Sequence, residues 1–343
     1  MNQRTTTSAF LDPIDRTIID ILHRDGRAPW SRVAEQLDVS AATVRRRYEA
    51  MHSTGTIRVV GATDVARLGM GMPVFLRLSN ARADLAELVS RLRARPEVRF
   101  FATLIGSVDI TAEMVLPEGT DYGRLVGEIT EGTSASAESL LITHAFASGQ
   151  DWAPPRESVD PTRLAPMETE PAPHIDLTDS EAKVLGMLMH DGRTGLGALA
   201  TAISKSENTA ARIIEQLQRS GVLDFRILVE PVHYGFTTEF FLWLEVEPRF
   251  LMETASTLAE NPATKYLTAT TGRSNLAGQF IVRDRAELFR FSTQVLASMP
   301  GIRTAEICVQ TAVHKRVWTT LENGLYATDG QPLDPLEYLQ PGQ

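Results

Sequence analysis

The stretch LDPIDRTIIDILHRDGRAPWSRVAEQLDVSAATVRRRYEAMHSTGTI, residues 11–57, decides the fold of the N-terminal part. Ile14, Ile18, Ile21 and Leu22 share one face of a helix that stops near Asp25-Gly26. Pro29 is suited to start a second helix, which turns Val33, Ala34 and Leu37 inward. After the turn Leu37-Asp38-Val39, Ser40 is a good N-cap for a third helix over 41–52, which Gly55 ends. Ile57-Arg58-Val59-Val60 reads as a strand leaving the unit. Three short helices with a tight turn before the third spell a helix-turn-helix.

The third helix carries the chemistry. At about 100° per residue, Val44, Tyr48 and Met51 form a stripe that must pack inward. Arg46 and Ala42 fall roughly opposite, with Arg45 and Arg47 on the flanks. An outward Arg can fork onto a guanine edge while its neighbours reach phosphates. The expected DNA contacts are therefore Ser40, Ala42, Thr43, Arg45, Arg46 and Arg47. The bland alternative is a solvated basic surface, and the capped turn and preceding helices weigh against it.

Working outward, the chain resembles itself at a constant offset of 166 residues. Asp25-Gly26-Arg27 recurs as Asp191-Gly192-Arg193. Leu11, Gly55, Gly69, Pro96, Gly106 and Trp152 recur as Leu177, Gly221, Gly235, Pro262, Gly272 and Trp318. The register slips by two between about 117 and 137 and then returns. This reads as a duplication. Between the copies lies a linker, 151–176, holding Pro154, Pro155, Pro161, Pro166, Pro171 and Pro173.

In the second copy Ala210, Ile214 and Leu217 keep the inward stripe, and Arg212 matches Arg46. Ala211 and Ile213 stand where Arg45 and Arg47 stood. Asn208 and Arg212 are its candidate DNA contacts. A degenerate, mainly structural helix-turn-helix is the favoured reading, and an equal second reader is the alternative. Gly195 to Ala200 matches the dinucleotide pattern G-x-G-x-x-G/A, but a helix precedes it where that chemistry needs a strand.

After each helix-turn-helix the pattern is strand–helix–strand–strand–helix–strand, which predicts a ferredoxin-like sheet with two helices on one face. The fold class expected is α+β: two repeats, each a winged-type helix-turn-helix followed by a ferredoxin-like βαββαβ sensor domain. The divisions are 1–60, 61–150, the linker, 177–226, 227–320 and a tail over 321–343. Both alternating faces of Phe240-Phe241-Leu242-Trp243-Leu244 are apolar. One face can cover the domain's own helices; the other needs a second sheet, which the fusion could supply within one chain.

Composition bounds the rest. Net charge is −9, yet a local basic helix suffices for DNA. Basic residues are 30 Arg and 4 Lys, which suits phosphate and guanine and equally suits Arg-rich codon usage. The lone Cys308 sits in an apolar stretch and reads as a reduced core thiol. The seven His show no ligand spacing, so neither metal nor cofactor is expected. Residues 1–10 lack the apolar segment of a signal peptide, and no apolar run approaches a membrane span. A cytoplasmic protein with no membrane partner is the expectation.

Residues 11–57 resemble the N-terminal signature of the Lrp/AsnC family of bacterial regulators. Leu11-Asp12, Ile14-Asp15, Asp25-Gly26-Arg27, Leu37, Ser40, Val44, Arg46 and Gly55 carry the likeness. It extends over about 11–150 and, more weakly, 177–318, so the chain resembles a tandem variant. The resemblance implies double-stranded DNA and a small-molecule effector such as an amino acid as partners. It also implies a homo-oligomer through the sensor sheets. The family's Gly-x-x-Asp turn, near its effector crevice, corresponds to Gly106 and Asp109, and to Gly272 and Asn275 in the second copy. Turn geometry alone could also explain those residues. Two rivals stand beside this reading: an enzyme like the sirohaem decarboxylases, which resemble the same architecture, and a ligand sensor that does not bind DNA. The decarboxylase motif holds a histidine, absent from FFATLIGSVDITAEM and YLTATTGRSNLAGQF, the corresponding stretches here.

Overall fold

The computed structural model describes residues 11–147, apart from 64 and 66, and 174–328. The linker prolines Pro154 to Pro173 and residues 329–343 lie outside the described residues. Helices α1 (Pro13–Arg24), α2 (Trp30–Leu37) and α3 (Ala41–Ser53) lead into strand β1 (Ile57–Thr63). Then come β2 (Met72–Ser79), α4 (Leu85–Ala94), β3 (Val98–Ile105), β4 (Ile110–Leu116), α5 (Tyr122–Thr130) and β5 (Ser136–Ala147). The second half holds α6 (Asp179–His190), α7 (Leu196–Ala202), α8 (Glu207–Arg219) and β6 (Leu223–Val229). It continues with β7 (Thr238–Val246), α9 (Leu251–Ala259), β8 (Thr264–Thr270), β9 (Leu276–Val282), α10 (Arg285–Arg290) and β10 (Ile302–Arg316). A short hairpin, β11 (Thr319–Glu322) and β12 (Leu325–Tyr326), follows. No helix among the described residues is long and apolar enough to cross a membrane.

Two sheets close on each other. Strand order is β10-β3-β4-β2-β5-β8-β9-β7, and β7 also pairs with β10, so eight strands form a ring. Phe241 and Trp243 of β7 face inward against Phe75 and Phe100, with ring centroids 5.3 to 6.3 Å apart. Phe240, Leu242 and Leu244, on the other face, bury against α9 and its neighbours. Both faces of this strand are therefore covered within one chain. The second sheet that the apolar faces call for is thus supplied by the other half of the same chain.

Two expectations are corrected. No hairpin wing follows α3, because β1 pairs instead with β6, from Ile57 opposite Val229 to Thr63 opposite Leu223. The tail expected from residue 321 begins as structure: Asn323 and Gly324 both take positive φ (53° and 76°), making the turn of the β11–β12 hairpin. Asn-Gly is a strong hairpin signal that the polar composition of the segment obscured. Tyr326 is buried, and its N–H donates to the Gly55 carbonyl (2.8 Å), tying the hairpin to the end of α3.

The β1–β6 ribbon joins the two helical units. Arg226 lies 166 places after Val60 and is its partner, so the ribbon's midpoint pairs a position with its own counterpart. Around it the Asp-Gly-Arg turns clasp reciprocally. Arg27 donates to the Gly192 and Thr194 carbonyls (2.7 and 3.1 Å), and Arg193 donates to those of Gly26 and Ala28 (2.6 and 3.0 Å). A Cβ on Gly26 would sit 2.8 Å from Phe225 Cβ, and one on Gly192 would sit 2.9 Å from Val59 Cγ1. Close approach to the other unit thus demands glycine at both turns. Arg193 also lies 3.7 Å from the Trp30 ring centroid, a cation–π interaction. Arg193→Ala is expected to lower unfolding stability by about 2–3 kcal/mol, because it removes the charged hydrogen bonds and the stacking on Trp30 at once. Urea denaturation checks this; a drop no larger than for an exposed Arg would show that the clasp contributes little.

Candidate nucleic-acid interface

The turn before α3 is built as its residues require. Asp38 ends α2 in the left-handed region (φ 52°), and the Ser40 hydroxyl accepts from Thr43 N–H (3.1 Å). Val44, Tyr48 and Met51 are buried, with Tyr48 packed against Trp30 at 4.9 Å between centroids. Ala41, Ala42, Arg45, Arg46, Glu49 and Ala50 are exposed. The small alanines let the helix axis approach a groove, and the two arginines project from that face.

The three arginines differ in their surroundings. Arg46 makes no hydrogen bond or ion pair among the described residues and stands in solvent. Arg45 pairs with Glu49 (2.7 Å) one turn on, both side chains more than half exposed. Such a pair contributes little and exchanges readily for a phosphate. Arg47 points back toward α1, donating to Asp15 (3.0 Å) and lying 3.4 Å from Asp12. Here the guanidinium fastens α3 to α1. The position is a packing site in both halves, since its counterpart Ile213 is only 7% exposed.

In the second half α8 has the same construction, with the Ser206 hydroxyl accepting from Thr209 N–H (3.3 Å). Asn208 and Arg212 both lie exposed on the outer side of this helix. Glu207 in the first turn is exposed, as is Glu215, which pairs with Arg219 (2.9 Å). Glu207 replaces Ala41 at the end of the helix nearest an approaching backbone, where a carboxylate repels phosphate. Lys205, in the preceding turn, restores one cation. The electrostatic difference between the helices thus rests on Arg45 against Ala211 and Ala41 against Glu207, not on Arg47.

The residues singled out for an effector serve the fold. The Asp109 carboxylate is 8% exposed and accepts from Ala81 N–H (2.9 Å) and Arg82 Nε (2.9 Å), bracing the turn before α4. Asn275 accepts from Val246 N–H and donates to the Val246 carbonyl, clamping the end of β7. A Cβ on Gly106 would lie 2.7 Å from Cys308 Sγ, and one on Gly272 2.6 Å from Leu140 Cδ2. Each glycine lets the opposite half close in. The carboxylate expected to engage a ligand is here engaged by the Ala81 N–H and the Arg82 guanidinium.

Concavities among the described residues lie elsewhere. An open groove of about 610 Å³ runs between the start of β7, the end of β10 and the β11–β12 hairpin, and it includes His314 and Arg93. Burial and nearby Arg93 push the His314 imidazole down, favouring its neutral form. A smaller cavity of about 80 Å³ lies between the two sheets under the β1–β6 ribbon. Sequence reasoning missed both, because each is assembled from strands distant in the chain. Among the described residues no cluster of His, Cys, Asp and Glu could hold a metal.

The AsnC-type helix-turn-helix domain matches residues 11–52. An uncharacterised helix-turn-helix transcriptional regulator of Pyrococcus abyssi is 30% identical over 142 residues, 41% of this chain and 90% of that protein. The regulator AldR of Mycolicibacterium smegmatis is 30% identical over 141 residues, 39% of this chain and 82% of its own length. Across the whole length, the fold is similar to that of the sirohaem decarboxylase NirDL, with TM-score 0.61 and 13% identity over 95% of this chain and 97% of that one. This chain belongs to the Lrp/AsnC family of helix-turn-helix transcriptional regulators.

Arg47→Ala should cost about 0.5–1 kcal/mol of stability, as a partly buried pair does, while Arg46→Ala should stay within about 0.5 kcal/mol of the parent. Thermal unfolding of the two side by side checks this, and the reverse order would return Arg47 to the DNA face. Asp109→Ala leaves the Ala81 N–H without its acceptor and should cost about 1–3 kcal/mol. An unchanged melting temperature for that variant would reopen the carboxylate as a ligand-binding group.

Proposed function

We propose that this protein is a sequence-specific DNA-binding transcription regulator responding to a small metabolite. In this reading two copies of one helix-turn-helix and sensor unit, fused in one chain, play the parts that two subunits play elsewhere. The observation that carries it is the exposed Arg45–Arg46 face of α3, set opposite a buried stripe and led by a capped turn. Arg46 reads a base edge, Arg45 neutralises a phosphate, and Ser40, Ala42 and Thr43 line the approach. The α8 face, with Asn208 and Arg212 among two carboxylates, is the weaker reader. Two chains then present two strong readers to a palindromic operator.

Footprinting tests the division of labour. Changing Arg45 and Arg46 together to Ala should remove protection, each contributing about 1–3 kcal/mol. Changing Arg212 and Arg219 to Ala should leave most protection in place. Comparable loss in both variants would sink the asymmetry, and full protection in both would remove the helices as readers.

One observation favours a second reading, catalysis on a tetrapyrrole: the whole-length likeness to the decarboxylase NirDL, together with a groove of about 610 Å³ that includes His314. The absence of histidine from FFATLIGSVDITAEM and YLTATTGRSNLAGQF, the stretches that correspond to the decarboxylase motif, weighs against it. Absorbance of purified protein mixed with an iron-tetrapyrrole decides: no shifted Soret band is expected, and a band abolished by His314→Ala would favour the enzyme.

A further inference from the structure

The cavity between the sheets sits where matched positions of the two halves meet. Arg99 and Lys265, Phe100 and Tyr266, and Glu113 and Gln279, each pair 166 residues apart, all line it. Arg226, from the midpoint of the β1–β6 ribbon, lies over it, and Arg316 enters from β10. If the halves were identical, two carboxylates would face two cations across an axis. The actual lining departs from this, with Gln279 opposite Glu113 and Arg226 opposite Val60. Glu113 is consequently the one carboxylate among the lining residues, against Arg99, Arg226, Lys265 and Arg316.

These groups are held in place. Arg99 donates to Glu113 (3.0 Å), which Tyr266 also hydrogen-bonds. Arg316 donates to Glu230 (3.0 Å), Lys265 lies 3.4 Å from Glu239, and Arg226 pairs with the exposed Asp224 (2.8 Å). Glu230 and Glu239 stand behind those cations and face the neighbouring groove. Gln279 donates to Glu239 (3.1 Å), which leaves its amide fixed. Phe75, Phe100 and Phe241 supply apolar wall. The volume of about 80 Å³ gives room for roughly five to eight waters at about 10–15 Å³ each.

We infer that this cavity is a binding site for a short monocarboxylate, roughly two to four carbons long. The carboxylate meets Lys265, Arg99 and Arg226, and the alkyl end lies on the phenylalanines. A zwitterion is disfavoured, because its ammonium would face the cations with Glu113 already engaged. The cavity lies directly under the strands that carry both helix-turn-helix units, so occupancy bears on their placement. That consequence rests on the reading of the chain as a metabolite-responsive regulator; the site itself does not.

Burial and Arg316 push the Lys265 ammonium down to about 8, against the pull of Glu239 and Glu230. The group is thus charged at neutral pH and loses its proton just above it. A bound anion favours the charged form, so binding takes up protons near pH 8 and weakens as pH rises through that value.

The test is calorimetry on the full-length protein in chloride-free buffer with acetate, propionate and butyrate, and with propionamide as the neutral isostere. One of the acids should bind one per chain with Kd below about 1 mM, and propionamide at least about tenfold more weakly. Lys265→Gln should weaken the acid about tenfold or more, whereas Glu113→Gln, which removes the wall carboxylate, should tighten it. The second variant guards against a misfolded first, since mere loss of structure does not raise affinity. Affinity should fall between about pH 7 and about pH 9. No binding to wild type or Glu113→Gln, or equal binding of acid and amide, overturns the site. Operator binding measured with and without the acid separates the two claims: an acid that binds without changing operator affinity keeps the site and removes the regulatory consequence.

Discussion

Everything in this molecule depends on the inward faces of two four-stranded sheets being buried against each other. Trp243, Phe241, Phe75 and Phe100 meet at the centre, each burial contributing about 1.5–3 kcal/mol. Neither sheet could keep such a face in water. The edges are closed as well: β3 pairs with β10 and β5 with β8, so hydrogen bonds seal the ring that apolar burial brings together. Arg77 extends the join. It is buried, stacks 4.5 Å from the Trp243 ring centroid, and forms ion pairs with Glu138 of its own half and Glu306 of the other.

With the sheets fixed, the helical units have one way to sit. Each is tied to its sheet by short chain segments, and β1 and β6 meet as an antiparallel ribbon. The Asp-Gly-Arg turns then lock across it through carbonyls that only the opposite unit offers. Tyr326 adds a further tie, its hydroxyl donating to the buried Glu230 while its backbone holds Gly55. Although burial opposes ionisation, Arg316 and Lys265 keep the Glu230 carboxyl below its usual range. The Glu230 carboxylate near the axis is thus charged, held by Arg316 and Tyr326. The differences between the halves that bear on function fall on exposed helix faces and on this axis, where they change charge without disturbing packing.

Local structure was legible because it follows from local rules. The Ser40 cap, the stripe of Val44, Tyr48 and Met51, and the strand and helix succession of each sensor unit lie within a few residues of where periodicity and turn residues put them. The two faces of the β7 sequence announced a second sheet. Exposure of Arg46 followed from helical geometry alone. The fate of Arg47 did not, because it depends on Asp12 and Asp15, more than thirty residues earlier in the chain.

What the sequence by itself determined is therefore each element and the face it buries, since those depend on neighbours three or four residues away, or two along a strand. The tertiary structure decided three other things. It made the Asp-Gly-Arg motif, a simple turn by its sequence, into a clasp between two units of one chain, because the glycines face Phe225 and Val59. It assigned Asp109 and Asn275 to bracing loops, because Ala81 and Val246 present backbone groups to them. It also gathered Arg99, Lys265, Arg226 and Arg316 around one cavity. Charges brought together from four strands leave no trace in any local pattern, and only the closing of the ring makes them neighbours.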